Sequence, residues 1–265
     1  MLLAGLFLRT FCTSGQCNTD DYSFQIGEKI NYEIAYNWGF IWVDAGKVYF
    51  KTDGIKHNDR SLFFFEAFGT TYHHYDWIFK VRDLYQSKVD QEGFRPIWFQ
   101  KNIYEGGTEI FNQYDFDTVA RQVSIHVQSP EKNIMAKTLN YDDCRFDVLS
   151  ACYFARSIDY DNYLPGDKIL VKIIIDDVFY ETYIRYQGKE TVKNRTGKKY
   201  RCIKLSALLV EGTIFKGGED LVVWITDDQN KIPVKAESKL IIGSVKAYLT
   251  GYEGLKYPVE SEVKE

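Results

Sequence analysis

The sequence predicts a mainly β protein, an antiparallel sandwich or open (half) barrel with one inserted α-helix at about residues 145–157. Three observations predict it. Aromatic residues make up 16% of the 265-residue chain, with 20 Tyr and 18 Phe against 5 Pro and 2 Met, and rings favour half-buried pleated surfaces. Apolar and polar residues alternate with a period of two along most of the chain. Clusters of Gly, Asn and Asp punctuate these runs roughly every 8–12 residues, the spacing of a sandwich or barrel.

Each element follows in order. Ile30, Tyr32, Ile34 and Tyr36 share one parity, and a second run passes through Val43, Ala45, Lys47 and Tyr49. Asn37-Trp38-Gly39 interrupts them as a turn or bulge, and Thr52-Asp53-Gly54 is the turn expected to end the hairpin. Leu62–Phe68 is apolar on both faces and reads as a central strand. Trp77–Val81, Tyr85–Val89, Pro96–Tyr104, Glu109–Asp115 and Gln122–Gln128 are further strand segments. The period changes once: Phe146, Leu149 and Tyr153 stand at i, i+3 and i+7, an Asp precedes the run as N-cap, and Arg156 suits the last turn. Leu164-Pro165-Gly166-Asp167 then returns the chain to strands at Ile169–Ile175, Val178–Tyr186, Tyr200–Leu209 and Asp220–Thr226. Asp227-Asp228-Gln229-Asn230 leads into Lys231–Glu237, and Ser244–Gly251 closes the series. Residues 22–256 read as a single mainly-β domain, and 257–265 as a charged C-terminal tail.

The N-terminus points to export. Residues 2–8 form an apolar run of signal-peptide length, and Thr13, Ser14 and Gly15 offer small residues for cleavage. Residues 1–15 are therefore expected to be a signal peptide, and the protein to be exported, in the periplasm or associated peripherally with the outer membrane. No stretch approaches the roughly 18 consecutive apolar residues of a membrane helix. Beyond the signal, Cys17, Cys144, Cys152 and Cys202 permit two disulfides in three connectivities, with free buried thiols as the alternative. Eight helical residues span about 12 Å, so Cys144 could reach Cys152 only from outside the helix. Cys17 lies where an exported lipoprotein carries its lipid, but Gln16 is not the small residue such a signal needs.

Phe24-x-x-Gly27-Glu28-x-Ile30-x-Tyr32, Tyr36-x-x-Gly39 and Ala45-Gly46 resemble a family of exported Gram-negative bacterial proteins classed as a domain of unknown function. Val81-Arg82-Asp83, Asp90, Pro96, Glu105-Gly106-Gly107, Asp147-Val148-Leu149-Ser150-Ala151, Lys231-Ile232-Pro233-Val234 and Gly243-Ser244-Val245 extend the resemblance over residues 24 to 252. The Tyr36-Asn37-Trp38-Gly39 form is similar to members from Bacteroides-type gut bacteria. The resemblance implies an exported β-rich protein with one inserted helix, and it brings no activity or catalytic residues.

Candidate chemistry is sparse. A net charge of −4 argues against a nucleic-acid partner, which needs clustered Lys and Arg. No G-x-S-x-G elbow or phosphate-cradling loop is present. The pairs Asp142/Asp143, Asp176/Asp177 and Asp227/Asp228 read as turns, not as carboxyls facing across a cleft. The Cys spacings fit no zinc pattern. The one His cluster, His73, His74 and Asp76, could ligate a metal from a loop but not from a regular strand, where neighbours point to opposite faces. The remaining lead is aromatic: Trp38, Phe40 and Trp42 share one strand face, and Trp77 joins them as a lining for a lipid-like, glycan or peptide ligand. The sequence thus predicts a non-enzymatic binding protein for an apolar or amphiphilic ligand or an envelope partner, with no cofactor. The alternatives are a metal-assisted hydrolase using His73/His74/Asp76 and a structural envelope component.

Overall fold

The computed structural model describes residues 21–264 apart from 39–40, 58, 131–133, 142–143, 211–217 and 241–242. The expected signal at 1–15, Cys17 and Phe40 lie outside the described residues. The first half supplies β1 (Lys29–Trp38), β2 (Ile41–His57), β3 (Arg60–Thr71), the short helix α1 (Asp76–Phe79), β4 (Arg82–Asp90), β5 (Pro96–Glu105), β6 (Thr108–Asp117), β7 (Gln122–Gln128) and β8 (Met135–Asn140). Helix α2 (Val148–Ser157) follows. The second half supplies β9 (Lys168–Ile175), β10 (Val178–Lys193), β11 (Lys199–Leu209), β12 (Gly218–Thr226), β13 (Pro233–Lys239), β14 (Ser244–Glu253) and β15 (Glu262–Val263).

All the strands join one antiparallel sheet, in the order β8-β7-β6-β5-β4-β3-β2-β1-β14-β13-β12-β11-β10-β9, with β15 added beside β11. Two meanders meet at the β1–β14 seam, where Lys29 opposes Glu253 and Asn37 opposes Ser244. The end strands β8 and β9 do not pair, so of the two architectures expected the open barrel is the one adopted. The sheet also rolls past itself. Ahead of α2, Phe146 lies beside β9: its N–H donates to the Lys172 carbonyl at 3.0 Å, and its carbonyl accepts from the Ile174 N–H at 2.8 Å. At the β9–β10 turn, Asp176 accepts from Lys101 of β5 at 2.9 Å and from Asn112 of β6 at 2.6 Å.

Helix α2 forms where the period shifts, and its ends are fixed by named contacts. Asp147 is the N-cap, accepting from the Leu149 and Ser150 N–H groups, both at 2.9 Å, which satisfies two of the orphan donors of the first turn. Leu149 and Tyr153 are buried. Tyr153 stacks on Phe65 at 3.8 Å and meets Phe24 edge-on at 5.0 Å. At the far end Arg156 donates to both Glu28 carboxylate oxygens, at 2.6 and 2.9 Å. The high aromatic content finds its use here: Phe24, Phe63, Phe65, Phe94, Phe99 and Tyr114 belong to the core packed around α2, each burying roughly 1.5–3 kcal/mol worth of apolar surface.

Several expectations are corrected. Thr52-Asp53-Gly54 is not a turn, because β2 runs straight through it, with Thr52 opposing Phe65 and Gly54 opposing Phe63. Thr52 is buried and donates to the Tyr153 hydroxyl, so it belongs to the core. Trp77–Val81 is not a strand: Asp76–Phe79 is one turn of helix, with Trp77 83% exposed. The polar edge strand β8 lacks the apolar alternation that would have revealed it. Cys144 is disulfide-bonded while Cys152 and Cys202 are free thiols, so the four cysteines do not form two bridges and Cys144 does not pair with Cys152. Residues 257–263 pack back on the domain, where Asn230 donates to the Tyr257 and Pro258 carbonyls and Ser261 is buried.

Candidate functional site

Residues opposed in an antiparallel pair point to the same side, so the registers trace rows across the sheet. The row Thr52, Phe65, Ser87, Phe99, Tyr114 crosses β2 to β6. All five are fully buried, and α2 seals them: Tyr153 covers Thr52 and Phe65, and Asp147 accepts from the Ser87 hydroxyl at 2.8 Å. Two residues further along each strand on the same face, Tyr85 and Lys101 are only half-buried. The next row, through Val48, Gly69 and Asp83, is half-buried as well. A row that crosses the seam, Ile34, Ala247, Ala236 and Val223, is apolar and half-buried on all four strands, with Ala247 and Val223 resting against buried clusters. Burial therefore falls with distance from α2. The helix fills one half of the concave face, and the other half is open and lined by small and branched apolar side chains.

Cys152 stands on α2, where the surrounding protein pushes its thiol up to about 11. It is solvent-exposed on α2 while its neighbours Tyr153 and Arg156 are buried. Yet it lies close enough to Tyr32 and Tyr85 to help hold their hydroxyls protonated, an effect led by burial of both rings. Burial likewise raises the thiol of Cys202, which is sealed in the core, so that cysteine is inert.

A polar cluster borders the opening on the side of β4, β5 and β6. Burial raises Asp83 to about 7, and the adjacent Glu105 carboxylate, hydrogen-bonded to it, adds to the effect. The Tyr104 N–H, which donates to Asp83 at 3.2 Å, and Lys101 work the other way. Lys101 is committed to Asp176, which also takes the Asn112 amide. Asn112 is fully buried, and its carboxamide oxygen has no donor. These residues come from separate strands and a distant turn, so no local motif could have revealed them.

The aromatic and histidine residues singled out in the sequence stand elsewhere. Trp42 is 42% exposed, with the Lys246 ammonium 4.4 Å from its ring. Lys246 opposes Glu237, on the face opposite to Ala247, so this pair is outside the concavity. The Trp38 side chain and Phe40 are outside the described residues. Trp77 projects from α1 beside the exposed Ile78 and Phe79. His73 Nδ1 and Asp76 come within 3.2 Å, but Arg82 reaches both, at 3.3 and 2.6 Å. That guanidinium leads in holding Asp76 down to about 2. His74 turns to Tyr72 and Tyr75, with ring centroids 5.8 and 4.2 Å away. Among the described residues no group of three or more His, Cys, Asp or Glu side chains could hold a metal.

Fold and concavity together define an open, barrel-like β protein with a helix occupying part of its concave face. The sequence places it more closely: the model of a family described as a protein of unknown function (DUF3108) matches residues 31–250, and the chain belongs to that family. A solved structure, titled a beta-barrel-like protein of domain of unknown function DUF1849 from Brucella abortus, is similar with a TM-score of 0.50 and 7% identity, over 88% of this chain and 99% of that one. At that identity the likeness shows the fold alone. No curated protein matches the chain.

Proposed function

We propose that the protein is a non-enzymatic binding protein that holds an amphiphilic ligand in the open half of its concave face. The observation that carries this reading is the apolar, half-buried row Val223, Ala236, Ala247 and Ile34 on the part of the face beyond the fully buried residues under α2. Apolar surface lining a concavity, with a few polar groups at one border, is the arrangement that buries a ligand's hydrocarbon and orients its head. Burial of ligand surface would supply the affinity, at roughly 25 cal/mol per Å² before the costs of association.

The reading extends to location. An exported site, periplasmic or at the outer membrane, is supported by the disulfide at Cys144, since such bonds persist in oxidising compartments. Trp77, Ile78 and Phe79, all more than half exposed, follow β3 at the end where Thr71 opposes Gly46, level with the uncovered row. Apolar and aromatic side chains at that rim suit peripheral contact with a lipid surface.

The test is a fluorescent alkyl probe titrated into wild-type protein and Ala247→Trp, which fills the open row without touching α2. Wild type should take up the probe, and the variant should bind about tenfold more weakly, a change of roughly 1.4 kcal/mol, with its urea midpoint little changed. Absence of probe binding, or equal binding by a folded variant, would sink the proposal.

A further inference from the structure

We propose that α1 is a bilayer-docking turn: Trp77 and Ile78 insert into a phospholipid surface, and Phe79 holds the turn rigid behind them. The inference rests on the binding reading above and names the surface from which that site takes its amphiphile.

The first support is a contiguous exposed patch. Trp77, Ile78 and Phe79 are consecutive and 83%, 58% and 51% exposed, whereas among the described residues no two other exposed large apolar side chains are neighbours in sequence. Single apolar residues on a surface are ordinary, but a contiguous patch marks a contact. The second support is a scaffold that fixes the turn from its polar side. Thr71 donates its hydroxyl to Asp76 at 2.9 Å and accepts from the Val81 N–H at 3.1 Å. Arg82 donates to the same carboxylate at 2.6 Å, and the Gly106 N–H donates to the Lys80 carbonyl at 2.9 Å. The Phe79 ring lies so close to Gly106 that a Cβ there would stand 2.4 Å from it. The polar groups of the turn are thus spent on its neighbours, while its apolar tip faces outward. A segment already held in its bound form loses little conformational freedom on docking.

Area and charge choose the occupant. At these exposures the three side chains offer about 400 Å², half of the roughly 800 Å² that each partner of a stable protein interface buries. A bilayer sets no such minimum, because membrane affinity scales with the apolar area inserted, and Trp favours the water–lipid boundary. The charges of the turn are engaged within the protein, Asp76 by Arg82 and Lys80 by the Tyr104 ring, 5.0 Å away. Docking is therefore driven by apolar burial, not by attraction to anionic lipid. The half-buried apolar row continues from Ala247 and Ile34 through Gly46 to Thr71, the residue that ties α1 down. A docked α1 brings that end of the row to the bilayer, where an amphiphile passes between lipid and concavity.

The experiment is flotation of the full chain with neutral phosphatidylcholine vesicles at low and high salt, paired with titration of the soluble alkyl probe. Wild type should float equally at both salt concentrations, since screening does not weaken apolar burial. Trp77→Ala should partition about tenfold more weakly, with its urea midpoint and probe affinity unchanged. Gly106→Ala, still melting cooperatively, should also float less, because the added methyl displaces Phe79 while Trp77 and Ile78 remain. Flotation that high salt abolishes, or that neither variant weakens, overturns the proposal. Protein that takes up the probe but stays off the vesicles overturns the docking and leaves the binding reading standing. A vesicle-free dimer that Trp77→Ala dissolves assigns the patch to a second copy and overturns it too. Flotation without probe uptake upholds the docking turn and sinks the binding reading.

Discussion

Asp147 shows most clearly how single residues hold this molecule together. It is fully buried, and beyond the two N–H groups of the α2 first turn it accepts from the Ser150 and Ser87 hydroxyls, both at 2.8 Å. One carboxylate thus starts the helix and ties it to β4. Burial raises its pKa, and the bonds from Ser150, Ser87 and Leu149 oppose that shift. Asp147→Ala removes the cap and orphans several buried donors at once. It should cost about 2–4 kcal/mol, read as a lower urea midpoint with an unchanged slope. A loss under about 0.5 kcal/mol would show that the helix is set by packing alone. In the sequence the helix is read from about residue 145 with an Asp ahead of it as cap, whereas the true cap, Asp147, lies inside that range and the helix starts at Val148. The Ser87 contact, made across 60 residues, distinguishes it.

At the scale of elements, α2 divides the concave face into a filled half and an open half, so its anchoring matters beyond stability. Its C-terminal end is held by Arg156, which also donates to the Ser23 and Asn230 carbonyls at 3.3 and 3.0 Å. The Arg156 and Glu28 side chains are 6% and 1% exposed. Breaking such a pair leaves an uncompensated buried charge, so Arg156→Met should cost about 3–5 kcal/mol by chemical denaturation. Adding Glu28→Gln should restore part of the loss, because it removes the stranded charge. A double variant no more stable than the single would argue that the carbonyl contacts, not the ion pair, do the anchoring. The strands themselves were legible, because alternation reports which residues share a face. Two segments misled for physical reasons. Trp77-Ile78-Phe79 is apolar enough to read as a strand but stands exposed at a rim, while Met135–Asn140 is an edge strand whose pairing on one side only requires little apolar character.

For the whole molecule, the sequence reached the fold class but not the site. A mainly β chain with one inserted helix follows from periodicity, and open rather than closed architecture follows only from which strands end unpaired. Rows such as Val223, Ala236, Ala247 and Ile34 exist only once β1 has paired with β14, more than 200 residues away. No local spacing could have shown them. Tryptophans were the visible lead, yet Trp42 faces outward and Trp77 stands at the rim. The lining of the open half is made of small and branched residues instead, which leave room where large rings would fill it. The most direct test of that account is native mass spectrometry of protein purified gently from the cells that make it. The account predicts an added mass of one amphiphile, lost on transfer to organic solvent and largely absent from Ala247→Trp. A clean protein mass that persists after incubation with a lipid extract of the same cells would contradict it.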